Sequence, residues 1–365
     1  MQLKQRIVKF KEEVEKRREK VYDYIRTHPY PQRFKPPDVH QAIYSYLNYG
    51  GKSLRPAVLL FSCGAVGGDE TKAIPAAAAV EIYHTWTLVH DDIIDRDKKR
   101  RGGLTVHEEF FRKAKRKWRL SQKEAEHYGT SVAIVAGDVQ QGWATSLLCN
   151  LNQSKEVKPQ LVLQLIRELT LNVQTKLLEG EMVDVQLSKM SFKEIDEEMI
   201  LNMIANKTGA LYEFCGRAGA MLGLNTEKIK DERVKNLSNF TLNCGIAFQL
   251  QDDILGIVAD EEKLGKPVGS DIREGKRTII LHYALSHLGN EQRKKMLSII
   301  GNQKASKEEI GRAIKILKDS GGILYTQSLA NQFIKKAFYH LEKIPDSDYK
   351  ELLRTWAEYM IEREF

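Results

Sequence analysis

The sequence predicts an all-α protein, a single large helical bundle around a central cavity. Three observations predict it. Apolar residues recur at three- to four-residue spacing along most of the chain. Leu, Lys, Glu and Ala are frequent, whereas there are only nine prolines. No segment shows convincing strand alternation, and no repeat period is evident.

The first helix is expected from Gln2 to about Thr27, where Leu3, Ile7, Phe10 and Val14 share a face. His28-Pro29-Tyr30-Pro31 and Pro36-Pro37 break it. Apolar periodic segments follow at Val39–Tyr49, Pro56–Cys63, Thr71–Ile93 and Thr130–Leu151. Further ones lie at Lys158–Lys189, Phe192–Leu222, Lys228–Leu255 and Thr278–His287. The last are Lys307–Asp319, Gly322–Leu341 and Ser347–Arg363. Paired glycines at Gly50-Gly51, Gly67-Gly68, Gly102-Gly103 and Gly321-Gly322 separate several of them. The expected organisation is one domain over residues 1–365, with residues 1–38 as an N-terminal helix and linker.

Composition narrows the class. A hydrophobic fraction of 42% is enough for a buried core, and no run reaches the length of a membrane span. The N-terminus is densely charged and does not resemble a signal peptide. Four scattered cysteines without C-x-x-C spacing suit reduced, mostly buried thiols of a cytoplasmic protein. Net charge is +8, but Arg112–Arg119 holds six basic residues and no acidic one. The surplus is therefore largely local and says little about partners. With Trp118 as its only aromatic ring, that run offers no base-stacking platform. The reading is a solvated helix face within a basic insertion at 110–128, with no nucleic acid and no integral membrane association.

Two aspartate clusters carry the chemistry: Asp91-Asp92-Ile93-Ile94-Asp95 and Asp252-Asp253-Ile254-Leu255-Gly256. Each follows an apolar run of helical character. On a helix, Asp91, Asp92 and Asp95 fall within an arc of about 100°. Clustered carboxylates there need a counter-charge. With no basic partner on the apolar side and no Cys or His arrangement, Mg²⁺ fits, since it takes one or two carboxylates plus substrate phosphate. Lys98-Lys99-Arg100-Arg101-Gly102-Gly103 follows at once, and paired arginines suit phosphate. Gly50-Gly51-Lys52-Ser53-Leu54-Arg55-Pro56 adds two cations after a tight turn, yet is not a Walker A loop.

These residues, with Lys207-Thr208, Phe248-Gln249-x-x-Asp252-Asp253 and Gly265-Lys266, resemble the trans-isoprenyl diphosphate synthases (polyprenyl synthetases). Five motifs stand in that family's order over roughly residues 40–365. His84–His90 and Asp252–Thr278 look most like archaeal-type short-chain members that make geranylgeranyl diphosphate. The resemblance implies the isoprenoid synthase fold and Mg²⁺-dependent head-to-tail condensation of isopentenyl diphosphate. The acceptors would be dimethylallyl, geranyl and farnesyl diphosphates, the product an all-trans prenyl diphosphate of C20, and the assembly a homodimer.

By resemblance, Lys52, Arg55, His84 and Arg101 hold isopentenyl diphosphate. Arg100, Lys207, Lys266 and Lys276 hold the allylic diphosphate. Asp91, Asp95 and Asp252 ligate Mg²⁺ (three ions with substrate bound), supported by Asp92 and Asp253. Gly256 stands where many members carry a third aspartate, and Asp260 could substitute through water. Glu181 stands where Gln is commonest, three residues before Asp184. Thr208 and Gln249 would present neutral dipoles to an allylic carbocation, which a nucleophile would quench. In the family the released diphosphate takes the proton, so no catalytic His is assigned. Product length would be set by bulk before the first cluster, here Tyr83 and Trp86. The alternatives are a C15 farnesyl diphosphate synthase, a class I terpene cyclase and a non-catalytic partner subunit. A cyclase would not need Lys52 and Arg55 and would carry a different second metal motif.

Overall fold

The computed structural model describes residues 3–258 and 269–362, and they are almost wholly helical. Eleven helices precede residue 259: α1 (Leu3–Thr27), α2 (Pro37–Asn48), α3 (Leu54–Ala65), α4 (Ile74–Asp95), α5 (Val106–Trp118), α6 (Gln122–Cys149), α7 (Pro159–Arg167), α8 (Gln174–Leu187), α9 (Glu197–Ile204), α10 (Ala210–Gly223) and α11 (Glu232–Val258). Helices at Ser270–Glu274, Ile279–His287, Asn290–Ile299, Lys307–Asp319, Gly322–Leu341 and Asp348–Glu362 follow. None of the described helices is long and apolar enough to cross a membrane.

The helix ends follow from local chemistry. Proline occupies the first turn of α2, α4 and α7, where its missing N–H costs nothing. Ser121 caps α6 and Asp196 caps α9 by accepting from backbone N–H groups. Ser306 and Glu309 form a reciprocal capping box at Lys307–Asp319.

The chain forms two compact units. The first comprises Met1–Thr170, Cys215–Val234 and Asp346–Tyr349. Its centre is α4, where Ala76, Ala77, Ala78 and Ala79 are all fully buried. Such small side chains let α1, α3 and α6 pack closely on it. Along α1, Phe10, Val14, Val21 and Ile25 are buried at the expected spacing. The second unit comprises Leu171–Phe214, Lys235–Pro345 and Lys350–Phe365. Its apolar cluster joins Ile254 and Ile257 of α11 to Ile280, Leu281, Met296, Ile310 and Leu317.

Three features depart from simple periodicity. Segment 110–128 is largely helical, as the reading of its basic run as a helix face implies: α5 runs to Trp118, and α6 begins at Gln122 rather than Thr130. Val106, Phe110 and Ala114 bury one face of α5, while Arg112, Lys115, Arg116 and Lys117 are exposed on the other. Wider π turns interrupt the helices at Glu168–Val173 and Ala205–Gly209. A two-stranded hairpin, β1 (Lys99–Arg100) and β2 (Gly103–Leu104), is the sole sheet among the described residues. Cys63, Cys215 and Cys244 are buried as free thiols, and Cys149 is exposed.

Candidate active site

In the first unit the site is built at the C-terminal end of α4. Arg96 takes the left-handed conformation and stops the helix just after Asp95. The hairpin then turns through Arg101 and Gly102, both at positive φ, as a two-residue connection of this kind demands. That turn folds Arg100 back onto the first cluster. Its Nε donates to Asp92 Oδ1 at 2.8 Å and its Nη2 to Asp91 Oδ2 at 3.0 Å. Asp97 lies 3.8 Å from the same nitrogen. The other Asp92 oxygen accepts from the Tyr46 hydroxyl.

Asp92 is therefore fully buried with both oxygens satisfied by protein. Arg100 is raised: burial opposes its charge but is outweighed by Asp92 and Asp91. The counter-charge that the sequence placed wholly on a metal is thus supplied in part by a local arginine. Asp91 and Asp95 remain partly accessible on the same helix end.

A cationic group adjoins this end. Arg55 Nη1 lies 3.1 Å from His84 Nε2, and Arg101 Nη1 donates to the Gly50 carbonyl. A Cβ on Gly51 would lie 2.6 Å from Arg101 Nη1, so the glycine lets the Arg101 guanidinium lie directly against this loop. Burial pushes His84 well down, and Arg55, Arg101 and Arg100 push it further. His84 is consequently neutral near pH 7 and can accept from Arg55. Lys52 is exposed beside Gly51. Beneath them, buried Glu81 accepts from Tyr22 at 3.0 Å and from Ser53 at 3.1 Å, fastening the loop to α1 and α4. Further up α4, Tyr83 and Trp86 are buried edge to face, 4.8 Å between ring centres.

The second unit carries the other residues singled out from the sequence. Lys207 and Thr208 lie in the π turn Ala205–Gly209, a distortion that recurs at functional sites. Lys207 Nζ is 2.7 Å from Asp184 and 3.0 Å from Glu181. Thr208 Oγ1 donates to Gln249 Oε1 at 3.0 Å, and Gln249 Nε2 donates to Asp253 Oδ1 at 2.9 Å. Burial drives the Asp253 carboxyl well up; Gln249 and Lys276 oppose this, whereas Asp271 and Asp252 add to it. Asp252 is only half-buried. Lys276 Nζ pairs with Glu274 at 3.2 Å. Lys266, with Gly265 and Asp260, lies outside the described residues.

Asp271 was not singled out from the sequence. A Cβ on Gly256 would lie 3.2 Å from Asp271 Oδ2, so the following helix brings a carboxylate against the glycine of the second cluster. No periodic rule joins residues on two separate helices. Its only sequence signal is an acidic residue just after the Gly269 turn. Tyr46 was missed for the same reason, since it reaches Asp92 from α2.

The donors suit magnesium. Among the described residues no three Asp, Glu, His or Cys side chains converge as a ready-made metal cage. Mg²⁺ does not need one, because it binds through one or two carboxylates together with substrate phosphate and water. Asp95 and Asp252 offer such hard oxygens at partly exposed positions, and Asp91 does so beside Arg100.

Comparison with known proteins gives a consistent result. The profile of the family described as polyprenyl synthetase matches residues 36–317. A geranylgeranyl diphosphate synthase from Sulfolobus acidocaldarius is 36% identical, covering 90% of this chain and 91% of that one. A geranylfarnesyl diphosphate synthase from Aeropyrum pernix is 34% identical over 86% of this chain and 91% of its own. The crystal structure of a Corynebacterium glutamicum geranylgeranyl pyrophosphate synthase, complexed with isoprenyl diphosphate and magnesium, superposes with a TM-score of 0.83. It is 28% identical and covers 98% of this chain and 99% of that one. The all-α architecture is that of the isoprenoid synthases. With a profile match over most of its length and relatives above 30% identity, the chain belongs to the polyprenyl synthetase family of prenyltransferases.

Proposed function

We propose that the protein condenses isopentenyl diphosphate head-to-tail with dimethylallyl, geranyl and farnesyl diphosphates, giving all-trans geranylgeranyl diphosphate. The observation that carries this reading is the division of labour around the end of α4. Asp95 stays partly exposed, Asp92 is spent on Arg100, which also holds one oxygen of Asp91, and the cations Arg55 and Arg101 gather about a neutral His84. One diphosphate can be held through metal there and a second without it.

Asp91, Asp95 and Asp252 would hold Mg²⁺, three ions with substrate bound, and Asp271 takes the place that Gly256 leaves empty. Bound Mg²⁺ supplies Lewis-acid stabilisation of the departing diphosphate. Lys207, already oriented by Glu181 and Asp184, adds a fixed charge on the same leaving group, together with Lys276 and Lys266. Arg100 acts chiefly by locking Asp91 and Asp92 in place. Lys52, Arg55, His84 and Arg101 bind isopentenyl diphosphate. The Thr208–Gln249 hydrogen bond fixes two neutral dipoles that face the allylic cation without attacking it. The whole chain acts as one synthase domain, in a cytoplasmic homodimer.

The test is incubation with Mg²⁺, isopentenyl diphosphate and each of the three allylic primers, followed by product sizing. Extension to C20 is expected from every primer. Failure with all three would remove the reading, and consumption of an allylic diphosphate alone would indicate a cyclase. A product stopping at C15 would assign the farnesyl alternative. Trp86→Ala should lengthen the product; an unchanged length distribution would remove Trp86 as the floor of the growing chain.

A further inference from the structure

Trp86 is held by a residue to which the condensation chemistry gives no role. Its indole Nε1–H donates to His90 Nδ1 at 3.2 Å, one helical turn on. The other imidazole nitrogen, His90 Nε2, lies 3.3 Å from the Ile134 carbonyl on α6. A ring that accepts at Nδ1 carries its proton on Nε2, so His90 donates to Ile134 and the tautomer is fixed. The imidazole occupies a notch that only glycine leaves open: a Cβ on Gly137 would lie 2.1 Å from His90 Nε2. On its other side Trp86 meets Tyr83 edge to face. The indole is thus tied by one directed hydrogen bond and by edge-to-face ring contacts with Tyr83 and His90, and the hydrogen bond is in turn tied to α6.

An indole can present either of two edges by rotating about its terminal torsion, and packing and hydrogen bonding together choose between them. A single donor with a fixed acceptor adds a directional preference to that choice. We propose that His90, seated over Gly137, is a specificity-determining positioning residue: by fixing the Trp86 indole it sets the length at which prenyl chain growth stops. The inference rests on the reading of Trp86 as the floor for the growing chain. It concerns hydrogen-bond direction rather than bulk, which makes it separable from that reading.

The experiment compares product-length distributions of purified full-length variants, with thermal melting to confirm folding. Trp86→Phe retains an aromatic ring but removes the donor. His90→Phe retains a ring but removes the acceptor. Each should raise the ratio of products longer than C20 to C20 itself by about five-fold, the factor that one ordinary hydrogen bond of about 1 kcal/mol is worth. The double variant should add nothing further, because both changes remove the same bond. His90→Gln, whose amide offers an acceptor to Trp86 and a donor to Ile134, should restore the parental distribution. Multiplicative effects in the double variant would overturn the proposal, as would His90→Gln behaving like His90→Phe. If Trp86→Ala lengthens the product while Trp86→Phe and His90→Phe do not, this inference fails and the floor stands. If Trp86→Ala itself changes nothing, the floor reading fails first. Should His90→Phe not fold, Trp86→Phe and His90→Gln decide the matter.

Discussion

At the level of single residues, the aspartates of the first cluster differ in burial, and the proposed roles follow that difference. Asp92 is buried against Arg100 and Tyr46, whereas Asp95, three residues on, is accessible. Removing one partner of a buried ion pair leaves the other uncompensated, at about 3–5 kcal/mol. Arg100→Gln should therefore lower unfolding free energy by about that amount in a denaturant titration. Asp95→Asn should leave stability within about 0.5 kcal/mol yet cut turnover by about a hundred-fold or more, as loss of a group that stabilises transition-state charge does. Equal stability losses in the two variants would contradict the division. His84 gives a pH signature. Its folded-state pKa is depressed by burial and by Arg55, Arg101 and Arg100, so above about pH 6.5 it is neutral in both states and contributes no slope. Below that pH the unfolded chain takes up the proton and the folded one resists, so stability falls with pH towards the depressed folded value. His28, His107 and His340 are depressed as well, so the measurement is a difference. His84→Asn should flatten the loss of stability between pH 6.5 and 5, and an unchanged slope would place a proton on His84.

At the level of elements, the site depends on distortions that a plain helical wheel does not contain. The π turn carrying Lys207 and Thr208 fits because Gly180 on α8 lies beneath it: a Cβ there would come within 2.4 Å of the Lys207 backbone nitrogen. Gly180→Ala must push that turn away. It should cost about 1–3 kcal/mol of stability, as overpacking does, and raise KM for the allylic substrate more than for isopentenyl diphosphate. A matched rise in both KM values would show that the turn does not serve the allylic site. The same distortions explain what could be read in the chain. Periodic apolar positions marked α1, α4, α6 and α11, because each buries a continuous stripe or is buried on nearly all sides. Helix α5 was legible only as the solvated helix face of a basic run, because its stripe is only Val106, Phe110 and Ala114 among charged neighbours. The hairpin at 99–104 is too short to show alternation. Asp91, Asp95 and Asp252 were legible because charge in an apolar run is conspicuous. Tyr46, Asp271 and His90 were not, since their significance lies in contacts with another helix.

At the level of the whole molecule, charge is the property most easily misread. A net +8 suggests an anionic partner, but six of the basic residues sit in Arg112–Arg119. The structure places that run on the outer face and C-terminal end of α5, with Lys113 paired to Asp38 at 2.8 Å and Arg112 to Glu108 at 2.8 Å. Trp118 is half engaged, packing edge to face on Tyr128. Cations near a helix C-terminus oppose its dipole favourably, which is reason enough for Lys115, Arg116 and Lys117 to stand there. The cations proposed to bind isopentenyl diphosphate, Lys52, Arg55 and Arg101, are a separate group with no residue in common. Replacing Lys115, Arg116 and Lys117 together by Gln should therefore leave turnover and product length within about two-fold and stability within about 0.5 kcal/mol, as for surface changes generally. The check is steady-state kinetics at low and at physiological ionic strength, because any steering of charged substrate by that patch would be exposed at low salt. A large fall in kcat/KM at low salt that disappears at high salt would make the run part of substrate capture. An unchanged rate at both confines its effect to α5, and the positive balance of the chain then carries no information about what the enzyme binds.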